Sequence, residues 1–419
     1  MRRRIILGVA LAATAVLGTI PALAATSQPS VVSTTPVSYT PNVMDGTVYA
    51  IAVVGNTVIV GGDFTTVENS ARTTTYKKTN LFTYNYTTGA VNTSFTAALD
   101  GEVLSLAPGP DNTVYVGGAF KMVGTVHQRG ITRLSVATGA RIKGFDAVIG
   151  DGEVRAVKYS TGGRLYIGGN FATVDKVSRP ALALVGGTSG KVDTKFNLKL
   201  TSPTAGRTKV EDMSLAPDGK TLVAIGAIQH AGGQSRAQVV MVNTTTTTAT
   251  VADWYTNFYD VNCYSSFETY VRGVDFSPKG DYFVIVTTGR NTGNGVPCDS
   301  AARFNTAGTG LHNPVWVNYT GGNTLLSVAV TGSAVYVGGH QQWLDNPQGK
   351  KNAGPGAVPR PGIGAIDPTS GKALSWNPTS GRGVGVEALT ATSTGLLVGD
   401  DTTELGKKYH ARLGMFPLK

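Results

Sequence analysis

Acidic and amide side chains recur beside glycines along this chain. Asp45-Gly46, Asp100-Gly101-Glu102 and Asp151-Gly152-Glu153 form one set, while Asp63, Asn170, His340, Asp400 and Asp401 follow a second set of glycines. Oxygens gathered from several such positions can hold Ca²⁺, or supply paired carboxylates for acid and base work on a glycan. The same residues also build turns, because Asp offers a local acceptor and Gly accepts positive φ. The turn reading is preferred, calcium is the next candidate cofactor, and catalysis comes last.

Other chemistry is thinly represented. His127, His230, His312, His340 and His410 are dispersed without an i, i+4 or H-x-H pair, so a local metal motif is absent from the sequence. No G-x-S-x-G elbow occurs, and "VGGAFKMVG" (116–124) lacks the helix and the Lys-Ser/Thr pair of a phosphate loop. Trp343 lies in the long connection 340–362, which contains "PQGKKNAGPGAVPRPG" (347–362). It is placed either to stack on a sugar or peptide or to cover a sheet edge. The ligand-binding candidates are therefore Asp63, Asp100, Asp151, Asn170, His340, Trp343 and Asp400.

These positions are set by a repeat. "NTVIVGGDF" (56–64), "NTVYVGGAF" (112–120), "GRLYIGGNF" (163–171) and "SAVYVGGHQ" (333–341) are versions of one phrase, and glycine pairs or degenerate equivalents fall at 61, 117, 168, 226, 288, 338 and 399. The spacing, about 56 residues, suits one four-stranded blade with generous loops. A first strand such as "VYAIAVV" (48–54) leads by a tight turn into the strand ending at the glycines. "LFTYNYTTGAVNTSF" (81–95) and "ITRLSVATGARIKGF" (131–145) then supply two more strands around a Thr-Gly turn. The expected fold is all-β, a seven-bladed β-propeller of four-stranded antiparallel blades. "TTPVSYTPNVMDG" (34–46) is similar to the fourth-strand segment "AVNTSFTAALDG" (90–101), so an N-terminal strand is expected to close the last blade.

Three domains of sequence follow. Residues 1–24 read as a signal peptide, with Arg2, Arg3 and Arg4 before an apolar run and Ala22-Leu23-Ala24 as the cleavage pattern. Residues 25–45 carry the closing strand, and 46–419 form the propeller. Without the three arginines the formal net charge drops from +10 to +7, spread along the chain in isolated pairs, which argues against a nucleic-acid partner. No second long apolar stretch exists, so no membrane span is expected after cleavage. Cys263 and Cys298 are the whole cysteine content and are expected to pair, contributing about 3 to 4 kcal/mol in a chain-entropy account.

The combination of "VYVGG(D/A/N)F", a Thr-Gly hairpin and "VNTSF" (91–95) or "VDTKF" (192–196) resembles the delta-60 repeat family, β-propeller domains of unknown function in exported bacterial proteins. Similar units occur in Rax2-like proteins. The resemblance covers most of 46–419 and is weakest in units four and five. It implies a propeller and brings no catalytic residues with it. The functional expectation is a secreted or wall-associated, monomeric, non-catalytic binding or scaffold module that takes a protein or polysaccharide on its long-loop face. The alternative is a carbohydrate-active hydrolase or lyase with carboxylates at the channel mouth.

Overall fold

The computed structural model describes residues 26–419 apart from 161, 203–206, 246, 247, 249, 262, 264–268 and 290–295; the leader at 1–24 lies outside the described residues. Every regular element among the described residues is a β-strand. Seven antiparallel sheets succeed one another along the chain, each built on an inner, a middle and an outer strand. In the first these are Val48–Val54, Thr57–Gly62 and Leu81–Asn85, and in the second Val103–Gly109, Thr113–Gly118 and Ile131–Ser135. The inner strands adjoin in chain order, and the inner strand of the seventh sheet, Ala388–Thr392, lies beside that of the first.

The core sits between sheets. One cluster joins Ile59, Leu81 and Phe95 of the first unit to Val103, Val116 and Phe120 of the second, and another joins Val48, Val58 and Phe82 to Leu397 and Met415 of the seventh. Each sheet therefore buries both faces against its neighbours. This explains why middle strands such as "TVYVGG" are buried along their whole length and show no alternation.

The recurrent glycine pair has a geometric cause. In each of the first six sheets the inner strand slips register by one residue opposite the pair, as at Val48/Ala50 against Gly62 and Gly61. This β-bulge pushes the carbonyl of the preceding residue into the middle strand. A Cβ on Gly62, Gly118 or Gly169 would overlap the carbonyl oxygen of Thr47, Glu102 or Glu153. The first glycine of each pair faces the next sheet instead: a Cβ on Gly61, Gly117, Gly168, Gly338 or Gly399 would meet Val103, Val154, Val210, Val386 or Val48.

Sheets four and five depart from this. Register puts Ile225-Gly226 and Val286-Thr287 at the pair position, so the equivalent in the fifth sheet falls ahead of the expected 288. Gly273 stands opposite Val286 and relieves the crowding from the other strand.

The fourth strand is mostly missing as a ladder. Among the described residues only the fourth and fifth sheets carry one, Thr250–Val251 and Trp316–Tyr319; elsewhere it shrinks to single bridges such as Tyr84 with Val91 and Val185 with Val192. Side-chain donors hold the outer segment, with or without a ladder. Lys78 Nζ donates to Asn92 O and Phe95 O, Gln128 Nε2 to Phe145 O, Arg179 Nη2 to Asp193 O and Thr194 O, Arg236 Nη2 to Ala252 O, and Arg360 Nε to Leu374 O. The outer segment is held by these donors and by its buried aromatic, Phe95, Phe145, Phe196 or Trp376.

Short ribbons fill most of the connections between middle and outer strands, including Met122–Val123 with Val126–His127 and Trp343–Leu344 with Val358–Pro359. The fifth unit carries the Cys263–Cys298 disulfide, Cα atoms 5.6 Å apart. The N-terminal stretch runs along the outer edge of the last sheet, with Ser33 N donating to Pro417 O and Val37 N to Met415 O.

The bulge account makes a specific demand. Gly118→Ala, which drives a Cβ into a backbone carbonyl, is expected to lower stability by about 1–3 kcal/mol, as overpacking does, measured by urea denaturation. Wild-type stability in this variant would remove the explanation.

Candidate functional site

The loop aspartates singled out from the sequence accept backbone N–H groups of their own unit. Asp100 Oδ1 accepts from Lys121 N (2.7 Å) and Met122 N (2.8 Å), and Asp151 Oδ1 accepts from Ala172 N (2.9 Å). Asp45 holds Thr65 N (2.7 Å) in the same way. These carboxylates therefore latch the start of each ribbon to the preceding connection. Burial works against ionisation of Asp100, but the N–H groups of Met122 and Lys121 hold it below the ordinary carboxylate range.

A reciprocal latch follows the glycines. Asn170 Oδ1 accepts from Glu153 N (2.7 Å), Asp63 Oδ1 accepts from Thr47 N, and Asp401 accepts from Val384 N and Gly385 N (2.7 and 3.0 Å). Arg207 brings Asp151 and Asn170 together, pairing with the carboxylate at 2.6 Å and donating to Asn170 O at 3.1 Å. His340 is fixed by Gly383 O at Nδ1 (2.8 Å), so its Nε2 accepts from the Arg382 guanidinium (3.1 Å). Trp343 is half-buried in its ribbon opposite Pro359.

Asp400 differs from the others. It aligns with the second glycine of the pair, is buried, and accepts from Ser380 Oγ (2.9 Å) and Thr402 N (3.0 Å). Burial pushes its carboxyl up to about 7. Among the described residues no group of three or more His, Cys, Asp or Glu side chains is placed to hold a metal.

The residues that do converge are the six skipped by the bulges and Glu387, which precedes the seventh inner strand. Tyr49, Leu104, Arg155, Glu211, Arg272, Leu326 and Glu387, one from each inner strand or its entrance, all line a cavity of about 420 Å³ between the inner strands. A bulge re-aims the skipped side chain, and here it delivers six of them to one rim, joined by Glu387 at the entrance of the seventh inner strand. Tyr49 also reaches Asp63, its hydroxyl 3.4 Å from Oδ2.

The rim is electrically structured. Arg155 pairs with Glu153 (2.7 Å) and with Glu211 of the next sheet (3.1 Å), and Glu211 pairs with Lys209 (2.6 Å). Burial raises Glu211, but Arg155 and then Lys209 outweigh it and hold the carboxyl low. Glu387 is pushed by burial up to about 7, against the pull of Arg155 and Arg272 and with repulsion from Asp401 and Glu211.

Deeper in the wall, Asp212 Oδ2 accepts from Val274 N (3.0 Å) and Asp275 Oδ2 from Val330 N (2.8 Å), so each carboxylate ties its inner strand to the next. Burial raises both, Asp275 to about 6. Lys158 faces the two and favours their charged forms. Ser327 Oγ to Val386 O (2.8 Å) and Thr390 Oγ1 to Ile51 O (2.9 Å) make neutral links of the same kind.

The sequence carries a faint trace of this rim. Between a buried Val or Leu and a small or polar residue, the inner strands read V-Y-A, V-L-S, V-R-A, V-E-D, V-R-G, L-L-S and V-E-A. The middle position is free to vary because the fold asks nothing of it.

No protein-family model and no curated protein matches the chain. Among solved structures, the structure of U3-55K is similar in overall fold, with 11% identity over 92% of this chain and 100% of that one at a TM-score of 0.56. The computationally designed Ika8 protein matches 91% of this chain and 99% of its own at 11% identity and a TM-score of 0.49.

Raised carboxyls give the stability a definite pH dependence. Glu387, Asp400 and Asp275 bind protons more tightly folded than unfolded, so their contribution is full below about pH 4 and is lost as pH rises through about 6 to 7. Asp400→Asn removes one of these sites. Its unfolding free energy, from urea titrations between pH 4.5 and 8, should fall less steeply than wild type, by up to about 1.4 kcal/mol per pH unit. Parallel curves would rule out the buried proton at Asp400.

Proposed function

We propose that the chain is an exported seven-bladed β-propeller that acts as a non-catalytic binding or scaffold module for a polysaccharide or protein outside the cell. The propeller reading is supported by seven successive sheets whose inner strands adjoin from first to last and back to the first. The N-terminal residues 33–37, bonded to the last outer strand, act as the closing strand. Kinship with the delta-60 repeat proteins rests on the repeated glycine-pair phrase. Export is supported by the leader and by the disulfide, which persists in oxidising compartments.

One observation carries the choice of binding over catalysis. The loop carboxylates are occupied by backbone N–H groups, and Glu211, the low-pKa carboxylate of the rim, is only 8% exposed between Arg155 and Lys209. A nucleophile or base needs a free lone pair facing substrate. The glycosidase reading keeps one point in its favour, because Glu387 and Glu211 are driven apart in acidity on a single rim, as an acid and its partner are.

The two readings part in one assay. The purified protein, applied to a glycan array and to isolated walls of the producing cells, should bind saturably and leave the polysaccharide unchanged. Release of reducing ends or unsaturated uronates, abolished by Glu387→Gln, would transfer the protein to the hydrolase or lyase class. Retention of neither polysaccharide nor protein would overturn the binding reading.

A further inference from the structure

The cavity gathers residues from all seven sheets, and its chemistry is narrower than that of a general docking face. Arg155, Lys158 and Arg272 stand against Glu211, Asp212, Asp275 and Glu387 in its lining. Cations and carboxyls are intermixed along this wall, and burial raises Glu387, Asp275 and Asp212, so no block of a single charge sign faces the cavity. An ionic ligand entering such a wall would be desolvated without a counter-charge to meet it. A neutral ligand rich in hydroxyls meets guanidinium donors and carboxylate acceptors on one wall, with Arg155 already oriented by Glu153 and Glu211.

The rim is also lopsided. Arg155, Glu211 and Arg272 come from three consecutive sheets, whereas Tyr49, Leu104 and Leu326 put apolar surface on the remainder, interrupted by Glu387. A sugar ring has this duality, with polar edges and C–H faces that pack on aromatic and aliphatic side chains. The volume, about 420 Å³, lies in the lower part of the range of small-ligand pockets. It suits a chain end of one or two rings.

The opposite end of the cavity is narrowed from within the chain. Thr26 contributes to its lining, and nearby Gln28 is buried with its amide bonded to Thr392 O and Gly395 O in the turn of the last inner hairpin.

Resting on the binding reading above, we infer that the cavity receives the end of a neutral saccharide chain through the rim, with Arg155, Arg272 and Glu387 engaging its hydroxyls and Leu104, Leu326 and Tyr49 covering a C–H face. The long loops then flank the ligand without providing its principal contacts.

The test uses saturation-transfer NMR and calorimetry on the full mature protein with cellobiose, maltose, xylobiose and chitobiose as probes, and digalacturonate and spermidine as charged controls. Leu326→Trp and Leu104→Trp each fill the rim without touching its charges; the two provide independent blocks should one fail to fold. Lys351→Ala, in the exposed loop, is the control. At least one neutral disaccharide should bind, about tenfold or more weakly in the tryptophan variants and unchanged in Lys351→Ala.

Disaccharide binding indifferent to both tryptophans would overturn the cavity as the site. Binding confined to digalacturonate or spermidine would overturn the neutral class. If no small probe binds while the intact protein still retains a polysaccharide or protein, the inference fails and the binding reading survives. If nothing is retained at all, both fail.

Discussion

The constraint on which this structure turns is the contact between a backbone carbonyl and a glycine. At the entrance of the inner strands the bulge sends the carbonyl of Thr47, Glu102, Glu153 or Thr324 into the space where the second glycine of the middle strand would carry a side chain. Two consequences come from one geometric event. The ladder slips by a residue, so the skipped side chain turns toward the cavity. Beside it, the valine that begins the next inner strand settles over the first glycine of the pair. Sheet-to-sheet packing and delivery of the rim residues are thus the same feature seen from two sides.

Polar groups then fix what the ladder does not. Asp45, Asp100 and Asp151 bind ribbon N–H groups, while Lys78, Gln128, Arg179, Arg236 and Arg360 bind the carbonyls of the outer segment. The residue just before the outer strand takes positive φ in all seven units, at Asn80, Gly130, Ala181, Gln238, Asp299, Gly362 and Arg412. At Asn80, Ala181 and Gln238 that local strain is tolerated because the donor two positions earlier, Lys78, Arg179 or Arg236, anchors the chain on the far side of the turn. Side chains with charge and acceptor capacity are therefore consumed in building the repeat. This is why acidic residues at regular spacing are a poor guide to chemistry here.

The legible part of the fold was the part written in glycine and β-branched residues. The phrase ending in Gly-Gly-x-Phe marked the middle strands, and the Thr-Gly turns marked the outer hairpins, because both depend on local backbone requirements that few residues meet. The fourth strand was over-read. "VNTSF" has the composition of a strand, yet Asn92 folds its side chain onto Ser94 N, and Lys78 takes the carbonyls that a ladder would have used. Single-residue patterns cannot reveal that a lysine 14 positions earlier will compete for those groups. In units four and five the glycine position is filled by Ile225 and Val286, and the resemblance weakened where the packing solution changed.

The rim was hidden for a deeper reason. A position under architectural constraint repeats and can be recognised by its repetition, whereas a bulge residue is free of that constraint and shows as variation between fixed neighbours. Tyr49, Leu104, Arg155, Glu211, Arg272, Leu326 and Glu387 share a place in the fold and little else. Asp63, the one loop candidate that touches this ring, does so through Tyr49. In a repeat of this kind chemical identity accumulates where the backbone departs from the ladder, since only there can a side chain change without disturbing the packing of two sheets. Charge could therefore enter at Arg155, Glu211, Arg272 and Glu387 with the inter-sheet valines left in place, and the ion pair from Arg155 to Glu211 across adjacent sheets offsets part of the desolvation that such residues incur.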